Sequence, residues 1–143
     1  MSRLRLIILT LTTLGAAAAR AAPSCHGISV TALAFGNYNV YSATPLDSAG
    51  TIFYNCPPPA MPSVDISAGN SNSFSPRRML QNTGTDTLAY NVYVDAARTV
   101  VWMTGVAVPQ GNGQTVPFYG RIFPLQDVSV GGYTDTLVVT FNF

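Results

Sequence analysis

From Tyr133 to Phe143 the chain alternates with a period of two, a pattern that fits a strand with one face covered and one exposed. Tyr133, Asp135, Leu137, Val139, Phe141 and Phe143 share one side. Thr134, Thr136, Thr140 and Asn142 share the other, with Val138 the one apolar exception. A second alternation sets Leu88, Tyr90, Val92 and Val94 against Ala89, Asn91 and Tyr93, and a third runs Val116, Phe118, Gly120, Ile122. Shorter candidates are Ile28 to Phe35, Thr51 to Cys56, Val64 to Ala68 and Thr99 to Trp102. Pro45 to Gly50, Pro57 to Pro59, Gly69 to Ser75, Asn82 to Asp86, Gly111 to Gly113 and Gly131-Gly132 supply turn chemistry between them. The chain has neither lysine nor glutamate, so helix formers are scarce while Val, Thr, Tyr and Phe abound. Strands at this spacing predict an all-β sandwich or barrel in one domain.

The first residues read differently. Arg3 and Arg5 precede an apolar run from Leu6 to Leu14, and the small residues Gly15 to Ala22 follow. That order describes a cleaved secretory leader, too short to span a bilayer as a retained anchor. Cleavage after Ala21, just before Ala22, satisfies the small-residue rule, which gives a leader over 1–21 and a mature domain over 22–143. Arg3, Arg5 and Arg20 leave with the leader. Four arginines then face six aspartates, so the formal charge moves from +1 for the whole chain to −2 for the mature one. Such a domain offers no electrostatic footprint for nucleic acid, and no later segment is apolar enough for membrane insertion as a helix. Export also permits a disulfide between Cys25 and Cys56. A metal site or a reactive thiol is the alternative, with His26 the only histidine available to help.

The remaining residues offer little for catalysis. His26 stands beside a cysteine at the mature N-terminus, a poor place for a hydrolytic triad. Asp127 and Asp135 could form a carboxylate pair, but each fits a turn or edge role better. Gly111 to Gly113 lacks the context of a nucleotide loop, and Arg77-Arg78 is too small a basic cluster to track phosphates. Trp102 and the tyrosines could stack on sugars, although on alternating strands they more often pack in a core. The aspartates show no calcium-ligand spacing. The expectation is a protein without catalysis or cofactor.

Six blocks carry a resemblance. They are Ala34-Phe35-Gly36-Asn37-Tyr38, Pro45-Leu46-Asp47-Ser48, Ser75-Pro76-Arg77-Arg78-Met79, Tyr90 through Thr99, Tyr119-Gly120-Arg121-Ile122 and Gly132-Tyr133-Thr134-Asp135-Thr136. In order, they resemble spore coat protein U domains, the subunits of archaic chaperone–usher pili of the Csu type. The resemblance implies an immunoglobulin-like β-sandwich that lacks its last strand. It further implies a periplasmic pilus chaperone, an outer-membrane usher and other pilin subunits as partners, and passage through the periplasm to a surface fibre or coat that serves adhesion or biofilm formation. Leu137, Val139, Phe141 and Phe143 are then expected beside the borrowed strand.

Two departures accompany it. Met103-Thr104-Gly105-Val106 replaces the usual Gly-Asp-Gly-Thr after the tryptophan. Only Ala22, Pro23 and Ser24 separate the cleavage point from Cys25, and they reach roughly 10 Å at about 3.3 Å per residue. The expectation is therefore a strand acceptor at a tip or terminus. A self-contained secreted binding module, holding glycan through loop aromatics, is the alternative.

Overall fold

The structure is a computed structural model that describes residues 24–143; the leader and the cleavage site at Ala21 and Ala22 lie outside the described residues. Nine strands follow in order: β1 (His26–Val30), β2 (Leu46–Cys56), β3 (Ser63–Ile66), β4 (Arg77–Gln81), β5 (Thr87–Tyr93), β6 (Val106–Ala107), β7 (Gly111–Ile122), β8 (Tyr133–Thr134) and β9 (Val139–Asn142). They form an all-β sandwich of the immunoglobulin-like kind. The larger sheet has the order β1-β2-β7-β5-β4-β8 and the smaller β6-β3-β9. Every pairing between named strands is antiparallel.

The core lies between the sheets. Ile52, Tyr54, Val64, Val92 and Trp102 are all 0% exposed. Trp102, a candidate for sugar stacking in the sequence, is thus a core residue, and its Nε1 donates to the Val64 carbonyl at 3.1 Å. Beside it lies the fully buried Arg77. Its Nε donates to the Ser67 carbonyl at 2.9 Å, and its Nη2 to those of Ile66 at 3.1 Å and Trp102 at 2.6 Å. Burial holds this guanidinium below its ordinary pKa. Its bonds knit the smaller sheet to the 101–103 strip, so the cation works as a fastener.

Cys25 and Cys56 are joined by a disulfide. Cys25 directly precedes β1 and Cys56 ends β2, so the bond closes one end of an already paired hairpin.

Several expected boundaries move, each for a visible reason. Pro45 to Gly50 reads as a turn, yet Leu46 to Gly50 belongs to β2. Cross-strand partners recruit those turn formers. Asp47 takes a two-pronged bond from Arg121, 2.7 Å from Nε and 2.9 Å from Nη2. That hydrogen bond, opposed in part by burial, holds the Asp47 carboxyl below its usual range. Ser48 Oγ donates to the Ala34 carbonyl at 2.9 Å, and the Phe118 ring occupies the space a side chain at Gly50 would need. Gly111 to Gly113 likewise opens β7 rather than breaking it, with the Gly113 amide donating to Asn55 Oδ1 at 2.8 Å. Thr99 to Trp102 contributes only an isolated bridge between Tyr93 and Val101. β4 was absent from the expected strands. Ile28 to Phe35 stops as a strand at Val30.

The largest change concerns the closing alternation. Tyr133 to Phe143 is not one strand. Tyr133 and Thr134 pair with β4 in the larger sheet, while Val139 to Asn142 pair with β3 in the smaller. The switch is made at Asp135, whose carboxylate is held by three hydrogen bonds described next.

Candidate functional site

Among the described residues β9 pairs with β3 along one edge only, and no strand lies beside the backbone groups of its other edge. Across from that edge runs the irregular segment 31–40, which leaves β1 and lies over the inner face of the larger sheet. Both of its ends are tied. The Thr31 amide donates to the Thr51 carbonyl at 3.0 Å, and the Tyr38 hydroxyl donates to the Phe123 carbonyl at 3.0 Å. Between them Leu33 and Phe35 lie so close to Gly120 that a Cβ there would meet their atoms at 2.8 and 2.6 Å. Glycine is what lets this segment sit flat on β7.

A groove of about 1090 Å³ is left between the two walls. Met79, Leu88, Tyr90, Phe118 and Ile122 of the larger sheet form its floor, Val30 to Val40 one wall, and Asp135 to Leu137 with Val139 the other. Residues 128–134 close one end. The site is therefore long, walled by apolar side chains, and bordered by an unpaired strand edge.

Tyr90 crosses the floor from wall to wall. Its ring meets Phe35 edge-on, with centroids 6.2 Å apart, and its hydroxyl donates to Asp135 Oδ2 at 2.6 Å. Burial first, and then this bond to a carboxylate, push the Tyr90 hydroxyl well above the ordinary tyrosine range. Asp135 Oδ1 accepts from the amides of Asn70 and Thr136, both at 2.8 Å. Asp135 is the one charged residue in the lining.

Of the residues expected beside a borrowed strand, Leu137 and Val139 line the groove, whereas Phe141 and Phe143 lie beyond it. The register explains the difference. Phe141 stands opposite Val64 in β3 and packs its ring on Tyr54, with centroids 5.0 Å apart, while Phe143 is 54% exposed past the last paired residue. The sequence reading missed the opposite wall as a groove element and missed Tyr90 as its cross-piece. The blocks Ala34 to Tyr38 and Gly132 to Thr136 marked both regions without saying that they face each other. His26, the only histidine, is exposed at the start of β1, away from these walls.

Comparison with known proteins accords with this geometry. The family model described as the Spore Coat Protein U domain matches residues 10–140. The chain belongs to that family. Among relatives, it is 37% identical over 81 residues to Protein U of Myxococcus xanthus, an alignment covering 53% of this chain and 45% of that protein. Among solved structures, it resembles a chain of the CsuC–CsuE chaperone–tip adhesion subunit pre-assembly complex from the archaic chaperone–usher Csu pili of Acinetobacter baumannii. There the TM-score is 0.56 and the identity 23%, with 85% of this chain and 40% of that chain covered. The spore coat U chain thus spans less than half the length of either protein, and the likeness to the second is one of fold.

Proposed function

We propose that this chain is a structural subunit of a surface fibre or coat, completed by an extended strand that a partner lends to the groove. The observation that carries the reading is the pairing of an open strand edge on β9 with an apolar groove running alongside it. An inserted strand would gain ladder hydrogen bonds from that edge and bury alternate side chains against the partly covered Leu33, Met79, Leu137 and Val139, which is recognition by strand addition. In this reading residues 1–21 are removed on export and residues 22–143 form the pilin domain. A periplasmic chaperone lends the first strand, an outer-membrane usher receives the complex, and another pilin subunit replaces the chaperone. Adhesion or biofilm formation is the purpose, and a tip or terminal place in the fibre is the finer assignment.

The test is expression of residues 22–143 into the periplasm, alone and with the chaperone encoded nearest its gene. Alone, the subunit should be poorly soluble or self-associate, because the uncovered groove and edge attract other chains. With the chaperone a stoichiometric complex should be recovered. A stable, cooperatively folding monomer on its own would instead favour a self-contained binding module.

A further inference from the structure

Asp135 is an odd residue for an apolar groove. Like Leu137 and Val139 it is partly covered while Thr136 and Val138 between them are exposed, and it lines the groove that an incoming strand would fill. Its three hydrogen bonds all come from neutral donors, namely the Tyr90 hydroxyl and the amides of Asn70 and Thr136. It forms no ion pair among the described residues, where the only pairs join Asp47 to Arg98 and Arg121. Arg77, the nearest buried cation, spends its bonds on the carbonyls of Ile66, Ser67 and Trp102. A carboxylate offers about four lone-pair sites, so one on Oδ2 is left for a further donor.

While the groove is open, water screens that charge. A strand that fills the groove drives the water out, and the anion, which feels Arg77 only through space and has no cation bonded to it, then weighs on the filled state. A basic side chain above Asp135 removes the cost. An acidic one adds like-charge repulsion in a drier setting, which discriminates by penalising the wrong occupant.

We propose that Asp135 is a specificity-determining residue for the strand that fills the groove, selecting a strand with lysine or arginine at the position over the Tyr90–Asp135 pair and rejecting one with an acid there. The proposal rests on the strand-accepting reading of the groove. It also places the selected residue: two positions along the strand from the one lying beside Leu137, towards the loop that carries Asn70.

The experiment uses residues 22–143 purified with the chaperone and challenged with synthetic peptides as long as the wall Val30 to Val40. The parent peptide alternates valine and threonine, and each test peptide carries one lysine or one glutamate in place of a valine, moved along the series. At one position lysine should bind about tenfold or more tightly than glutamate, the scale expected for replacing a compensating charge by a repelling one. Asp135→Asn should erase that preference, read as the ratio of lysine-peptide to glutamate-peptide affinity within the variant and so independent of how tightly it holds the parent. Asp135→Thr, suited to an extended chain, serves as the second variant if the amide does not fold. Equal binding of lysine and glutamate peptides at every position, with the parent bound, would overturn the proposal, as would a preference that survives in both variants. Failure of the parent peptide to bind the wild-type subunit would overturn the strand-accepting reading itself.

Discussion

Val139→Thr separates the filled groove from the open one. Val139 lines the groove and is half-buried, paired with Ile66 across the smaller sheet. Threonine has nearly the same shape and a similar liking for strands, and at this partly exposed position its hydroxyl can stay hydrated, so the open subunit should lose less stability than the filled one. Its hydroxyl meets water while the groove is open. Once a strand covers it, the hydroxyl is buried among Phe118, Ile122 and the occupant's side chains, with its own backbone already committed to β3. Burying an unpaired hydroxyl costs about 1–3 kcal/mol in proteins, which weakens strand binding by roughly 5- to 150-fold. The control is Val138→Thr, because Val138 is 59% exposed on the opposite face. Exchange of a labelled strand peptide into the chaperone complex reads the affinity, and urea unfolding of the released subunit, diluted until its midpoint no longer depends on protein concentration, reads the open state. Equal affinities for the two variants would refute the assignment of faces. A loss of open-state stability as large as the loss of binding would refute the claim that Val139 acts mainly in the filled state.

Phe141→Asp should abolish folding, since it places a charge against the Tyr54 ring, whereas Phe143→Asp should change stability by no more than about 0.5 kcal/mol because Phe143 is 54% exposed. Soluble yield and urea midpoints compare the two. Replacing both Cys25 and Cys56 by alanine reopens a loop of sequence separation 31 and should lower stability by about 3–4 kcal/mol on the chain-entropy estimate, read as a fall in the urea midpoint with a steeper slope because the unlinked chain unfolds to a more open ensemble.

The sequence carried the faces better than the partners. The alternations in β5 and β7 place Leu88, Tyr90, Val92, Phe118 and Ile122 in the core, as the structure does. Alternation depends on the pleat of one strand and is legible locally. What failed was local punctuation wherever a distant residue outbid it. Asp47 is a turn former until Arg121 reaches it from β7, and Gly50 is a breaker until Phe118 needs its empty space. The split of Tyr133 to Phe143 is the same failure in reverse. An unbroken period of two says which side each residue faces, but not which sheet holds it. Asp135, held by Asn70 and Tyr90 from far along the chain, moves the strand from one sheet to the other.

The groove was legible only through the family resemblance, and there is a physical reason. A missing strand leaves no mark on the residues that remain, because an apolar face reads the same whether or not anything covers it. What marks the gap in three dimensions is the distribution of burial. Ile52, Tyr54, Val64, Val92 and Trp102, sealed by the disulfide at one end and the Arg77 fastener at the other, reach complete burial. Leu33, Phe35, Met79, Val128, Leu137 and Val139 pack against that core yet stay only partly covered, and all of them line the groove. Among the described residues the molecule therefore divides into a closed half and a half whose apolar side chains stay partly open. Each partly covered side chain forfeits some of its burial energy until a strand arrives. In the proposed reading that deferred burial would drive strand insertion, across a groove that Tyr90, in contact with Phe35 and bonded to Asp135, spans from wall to wall.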